Sequence, residues 1–177
     1  MKHLKSKIVD DILSIIPNHP ATRIIHISDA EKDFMGEDIL TQKILDLSLK
    51  EEYDFLLYLL DKKDLDSYIN KFKITGISSV KPLDIKRPRY AIGGRLYDFV
   101  YLTAKIQEDL IDEFIQKIYK IIKSSGLIII LLDKDINQNL QDWYSVLEDN
   151  YFVAINTIDI SQNFHILVAK KMHGWGG

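Results

Sequence analysis

The chain has 177 residues, 46% hydrophobic and 28% charged, which suits one globular domain with a substantial core. Its 23 basic and 26 acidic residues leave a net charge of -3, so the chain as a whole is no polycation built to coat nucleic acid. Cysteine is absent, which excludes disulfide scaffolds, thiolate metal sites and thiol nucleophiles.

In chain order, Ile8, Val9, Ile12, Leu13, Ile15 and Ile16 recur at helical spacing until Pro17 and Pro20 stop the helix. Thr22 to Ser28 is a short β-branched run, the first predicted strand. Ile39, Leu40, Ile44, Leu45 and Leu47 predict a second helix, and Tyr53 to Leu60 a second strand closed by Asp61. Leu65, Tyr68, Ile69 and Phe72 line one helix face, and a third strand is expected from about Ile74 to Val80. Lys81 to Arg95 holds two prolines and two glycines and reads as a loop.

Strand four is expected at Tyr97 to Leu102. Leu110, Ile111, Phe114, Ile115, Ile118, Tyr119 and Ile122 then form the apolar face of a helix whose terminal charges suit its dipole, with Gly126 as its stop. Leu127 to Leu132 reads as a buried strand, and Trp143, Val146 and Leu147 mark the last helix. Val153 to Ile160 and Phe164 to Lys170 are separated by three residues, too few for a parallel crossover, so they must form an antiparallel hairpin. Alternating strands and helices ending in a hairpin predict an α/β fold: a single doubly wound, Rossmann-like, three-layer domain over residues 1–177.

This order resembles the class I S-adenosylmethionine-dependent methyltransferases. The residues that carry the likeness are Tyr97-Asp98-Phe99-Val100, Lys123-Ser124-Ser125-Gly126 before Leu127 to Leu132, Asn150-Tyr151-Phe152-Val153, and Phe164 to Lys171. The resemblance implies a seven-stranded, mostly parallel sheet in the order 3-2-1-4-5-7-6, its last strand antiparallel. It also implies a cofactor, S-adenosylmethionine, bound after strand one through Ser28, Asp29 and Gly36, with Asp61 accepting the ribose hydroxyls and Asp84 near the adenine. The loop departs from the family pattern. Residues 28 to 36 hold one late glycine, and Asp29, Glu31 and Asp33 bring negative charge to the place where a carboxylate has to dock. Asp61 also reads as an ordinary helix cap before Lys62-Lys63-Asp64.

No catalytic residue is assigned. Thr103-Ala104-Lys105 follows strand four without the signature of amino-group methylation, and the absence of cysteine excludes thiol-dependent C5 methylation of pyrimidines. His26, near the end of strand one, is a candidate base or else a satisfied strand histidine, and the five histidines lack metal-site spacing, so no metal is expected. The loop carries Lys81, Lys86, Arg87, Arg89 and Arg95 against Asp84, a net +4 in a chain whose remainder is -7. Lys86, Arg87, Arg89 and Arg95 are therefore the expected contact for an anionic partner, with Tyr90 available to stack on a base, unless the loop is a solvated edge.

Two functions stand side by side: a methyltransferase, and a methyltransferase-like interaction module in which Phe34 and Met35 fill the former cleft. No membrane span or signal peptide is visible, so a cytoplasmic location is expected, and Trp175 in the glycine-rich tail is expected to pack locally.

Overall fold

Each apolar run of the chain has a place in one seven-stranded sheet. The computed structural model describes residues 4–30, 38–90, 94–134 and 140–174. The elements are α1 (Ser6–Leu13), β1 (Arg23–Ser28), α2 (Ile39–Glu51), β2 (Asp54–Leu59), α3 (Leu65–Phe72), β3 (Ser78–Pro82), β4 (Tyr97–Leu102), α4 (Ile111–Ile121), β5 (Ile122–Asp133), α5 (Leu140–Asp149), β6 (Phe152–Ile158) and β7 (Phe164–Lys171). A short 3-10 turn, Glu108–Leu110, leads into α4.

The sheet order is β3-β2-β1-β4-β5-β7-β6, as the family resemblance implied. Neighbours from β3 through β5 are parallel, and β7 runs antiparallel to both β5 and β6. The central strands are apolar on both faces because both faces are covered. On one, Val9, Ile12, Leu40, Ile44, Tyr68 and Phe72 of α1 to α3 meet Ile24, Leu57, Tyr101 and Ile129. On the other, Ile111, Phe114, Ile118, Trp143 and Leu147 of α4 and α5 meet Ile25, Ile27, Val100 and Ile130.

Several boundaries differ from the sequence reading. Helix α1 ends at Leu13 rather than Ile16: Ile16 N–H bonds the Leu13 carbonyl in a tighter turn, away from the helical geometry disfavoured before Pro17. Strand β3 begins at Ser78 rather than Ile74, because Ile74 to Ile77 form a turn closed by Ile77 N–H on the Ile74 carbonyl, with Gly76 at φ 84°. The strand then continues through Lys81 and Pro82, which the sequence reading placed in the loop. Helix α4 stops at Ile121 and β5 begins at once, five residues before the predicted glycine stop. Tyr97 pairs with Ile122 across a register shift that lies ahead of the Phe99 to Leu127 pair.

Helix α2 is capped by Glu52, whose φ of 58° is left-handed, with its N–H on the Ser48 carbonyl and Tyr53 N–H on the same oxygen. Glycine is the residue suited to this position, since a Cβ costs free energy there. The exposed Glu52 side chain makes no ion pair or side-chain hydrogen bond with a described residue. Glu52→Gly should therefore stabilise the domain by about 0.5–1 kcal/mol, seen as a higher urea midpoint at unchanged slope.

Candidate functional site at the carboxyl edge of the sheet

Parallel strands carry their carboxyl ends to one edge, and register decides which residues meet there. Ser28 pairs with Leu59, Leu59 with Pro82, and Ile27 with Leu102. Ser28, Asp29, Asp61 and Asp84 consequently all lie at this edge, within two residues of the ends of β1, β2 and β3. Gly36, Phe34 and Met35 lie outside the described residues, as does Trp175.

The chain leaves β1 through a sharp turn. Ser28 accepts the Ala30 N–H on its Oγ (3.2 Å), and Ala30 adopts φ 61°, a left-handed conformation usually left to glycine. Asp29 Oδ2 accepts the Lys105 N–H at 3.1 Å, tying this turn to the segment after β4. Thr103 and Ala104 both donate backbone N–H groups to the Ile27 carbonyl, and Leu60 donates to Ser28. Asp61 Oδ1 accepts the Lys63 N–H at 2.9 Å and Asp84 Oδ1 the Lys86 N–H at 3.0 Å, so each closes a local turn after its strand. Each carboxylate has acceptor positions beyond that one bond.

Asp29, Asp38 and Asp64 gather around Tyr68 on the β1 and β2 side of the edge. Tyr68, on α3, donates its hydroxyl to Asp38, and Lys71 reaches the same carboxylate at 3.3 Å. Burial first, then the Asp38 hydrogen bond and the charges of Asp38, Asp64 and Asp29, push the Tyr68 hydroxyl well above its ordinary pKa.

His26 is no exposed base. It is 3% exposed, and its ring bridges two elements: Nε2 lies 2.8 Å from Thr103 Oγ1 and Nδ1 2.9 Å from Thr41 Oγ1. Burial lowers its pKa to about 3, so it is neutral at physiological pH. It fixes α2 and the residues after β4 to β1.

The basic loop divides. Because β3 ends at the carboxyl edge and parallel β4 starts at the other, the segment between them runs back along the sheet, carrying Arg95 to the amino edge. There Arg95 pairs with Asp54 at 3.1 Å, beside Arg23. Lys86, Arg87 and Arg89 remain exposed near the carboxyl edge. Tyr90 is 4% exposed and packs against Phe114, so it offers no ring for base stacking. Its hydroxyl donates to the Ile85 carbonyl (2.7 Å), and its own carbonyl accepts from Tyr58 (3.1 Å).

Sequence reasoning missed the residue that holds this segment down. Lys117 of α4 is buried, donates to the Ile85 carbonyl at 2.7 Å, pairs with Glu113 at 2.6 Å and lies 5.3 Å from the Tyr90 ring centre. The available signal was its position: three residues after Phe114 and four before Ile121, a lysine on an apolar stripe.

Among the described residues no group of three or more potential metal ligands is clustered, and no helix is long and apolar enough to cross a membrane.

This topology is that of the S-adenosylmethionine-dependent methyltransferases. A TehB-like SAM-dependent methyltransferase from Corynebacterium glutamicum superposes with a TM-score of 0.69 at 14% identity, covering 92% of this chain and 86% of that one. The CurJ carbon methyltransferase gives 0.68 at 14%, covering 94% of this chain and 53% of its own. Human N-acetylserotonin methyltransferase, solved in complex with SAM, gives 0.62 at 13%, covering 93% and 51%. The chain thus spans about half the length of the latter two. No protein-family model matches the chain, nor does any curated protein.

Proposed function

We infer that this chain is a methyltransferase-fold domain that binds S-adenosylmethionine at the carboxyl edge of β1 and β2, with Asp61 accepting the ribose hydroxyls. The observation that carries the reading is the convergence at one edge of Asp61 and the Ser28 to Ala30 turn, whose left-handed Ala30 bends the backbone as a glycine would. Asp61 is half-exposed and keeps acceptor capacity beside its turn bond and the 3.8 Å ion pair of Oδ2 with Lys63 Nζ. Ser28 and Asp29 would border the methionine part of the ligand and Asp84 the adenine. Methyl transfer needs alignment and exclusion of water more than a strong base, in keeping with a site whose histidine is buried and neutral.

Calorimetric titration with S-adenosylmethionine and S-adenosylhomocysteine tests this directly. Saturable heat is expected, and Asp61→Ala should weaken affinity by roughly 10- to 100-fold, the loss of hydrogen bonds to a charged acceptor. Folded protein giving no heat at millimolar ligand would end the cofactor reading.

A second reading draws on a separate observation: Asp29, Asp61 and Asp84 each already hold a backbone N–H of this chain. In that case the domain is a non-catalytic interaction module. Absence of cofactor heat together with recovery of a stable partner is its signature.

A further inference from the structure

We propose that the turn bearing Lys86, Arg87 and Arg89 docks the phosphate backbone of a nucleic-acid duplex, without reading its sequence. The proposal holds whether or not the carboxyl edge binds S-adenosylmethionine.

All three side chains are exposed, and none forms an ion pair with a described residue. The neighbouring carboxylates do not cancel them. Asp84 accepts the neutral Lys86 N–H and so still offsets one charge, while Glu113 is paired with Lys117, leaving three exposed cations against one unpaired acid around the turn. Elsewhere on the basic segment Arg95 is paired with Asp54, while Lys81 on β3 is exposed and forms no ion pair with a described residue.

The turn is held from beneath. The Ile85 carbonyl receives both Lys117 Nζ and the Tyr90 hydroxyl, Tyr58 bonds the Tyr90 carbonyl, and Arg87 N–H bonds the Asp84 carbonyl. A fixed platform presents its charges with little backbone entropy left to lose on binding.

The chemistry of the turn selects among anions. Among the turn's described residues Leu83 is 2% and Tyr90 4% exposed and Ile85 packs on the core, so Pro88 is the exposed apolar side chain and little is offered for insertion into a bilayer. With Tyr90 buried, the loop's described residues also present no aromatic ring for stacking unpaired bases. What remains is two guanidiniums and an ammonium within at most about 10 Å of chain. A duplex supplies a negative charge for roughly every 1.7 Å of its axis, so such a patch can face several phosphates at once, and guanidinium pairs with phosphate bidentately. Contacts of this kind position a duplex and carry no sequence information.

The test is filter binding of the full chain to a mixed-sequence DNA duplex of about 20 base pairs, titrated from about 50 to about 200 mM salt. Three phosphate contacts predict a log–log slope of about -2.7, an approximately 40-fold loss of affinity over that range. The triple variant Lys86→Ala, Arg87→Ala, Arg89→Ala should keep its melting temperature and lose the slope, because exposed charges contribute little to stability. If the triple variant fails to fold, Arg89→Ala alone should reduce the slope by about 0.9. Lys5→Ala with Lys7→Ala, on and beside α1, should change nothing. No duplex retained at the lowest salt, an unaltered slope in the folded triple or single variant, or retention by phosphatidylglycerol vesicles in place of the duplex would each overturn the proposal.

Discussion

Acidification from pH 6.5 to about pH 4 should cost this domain about 3 kcal/mol through His26 alone. In the folded chain burial lowers its pKa from 6.5 to about 3, whereas the unfolded chain carries an ordinary imidazole. Between those two values the unfolded state holds one more proton than the folded state, so stability rises with pH at about 1.4 kcal/mol per unit. The contribution is complete above pH 6.5 and is lost progressively as pH falls toward the folded value. The ring's partners explain why no charge compensates: they are two hydroxyls, Thr41 at one nitrogen and Thr103 at the other. With Thr103 Oγ1 donating to the Ile27 carbonyl (3.4 Å), the hydrogen-bond pattern assigns the proton to Nε2 and leaves Nδ1 accepting from Thr41. His26→Gln keeps one donor and one acceptor but cannot titrate. Urea denaturation at several pH values should show the wild type losing about 1.4 kcal/mol per unit more than the variant below pH 6. Parallel curves for the two proteins would refute the assignment.

The same ring illustrates what the sequence could and could not disclose. The α/β class was legible because strands and helices alternate along most of the chain and because the short link between the last two strands permits only a hairpin, whereas the sheet order came from the family resemblance. The carboxyl-edge placement of Ser28, Asp61 and Asp84 followed from the ends of apolar runs. That His26 is sealed rather than catalytic depends on Thr41, fifteen residues away, and Thr103, seventy-seven away, converging on it, and no local pattern reports such a meeting. The loop is a different matter. Once β3 and β4 are taken as parallel, the connection must traverse the sheet from edge to edge, so Arg95 could not have joined Lys86 and Arg89. The topology contained that conclusion, while the count of charges, which treats the segment as a point, concealed it. Tyr90 and Lys117 stayed hidden for a related reason. Each pairs a polar tip with a long apolar body, so burial depends on whether a partner waits at the tip, and here the Ile85 carbonyl serves both.

Gly126→Ala should destabilise the domain by about 2–3 kcal/mol and lower its melting temperature by roughly 5–10 °C. Predicted from sequence as a helix stop, Gly126 lies five residues beyond the end of α4 and is buried, in the stretch where β5 settles beside β4. A Cβ there would stand 2.9 Å from the Asp98 carbonyl oxygen, 3.0 Å from that of Lys123 and 3.3 Å from Ile122 Cγ2. Two of the three obstacles are backbone, and neither can swing aside as a flexible side chain would. Asp98 is held by Lys123, whose ammonium lies 2.8 Å from both carboxylate oxygens, and by the Arg23 N–H at 2.8 Å, so this point joins β1, β4 and β5. Relief would require β5 to move away from β4, disturbing the pairing that resumes at Phe99 and Leu127. Ser125, immediately before it, is already left-handed at φ 66°, which leaves the backbone little freedom to redirect the Cβ. Gly174 is the matched control, since a Cβ there meets nothing within 4 Å. Thermal melts of the two alanine variants should therefore separate clearly, Gly174→Ala staying with the wild type and Gly126→Ala falling below it. Equal melting temperatures would mean that β5 slides without cost, and the close approach at Asp98 would no longer explain the glycine.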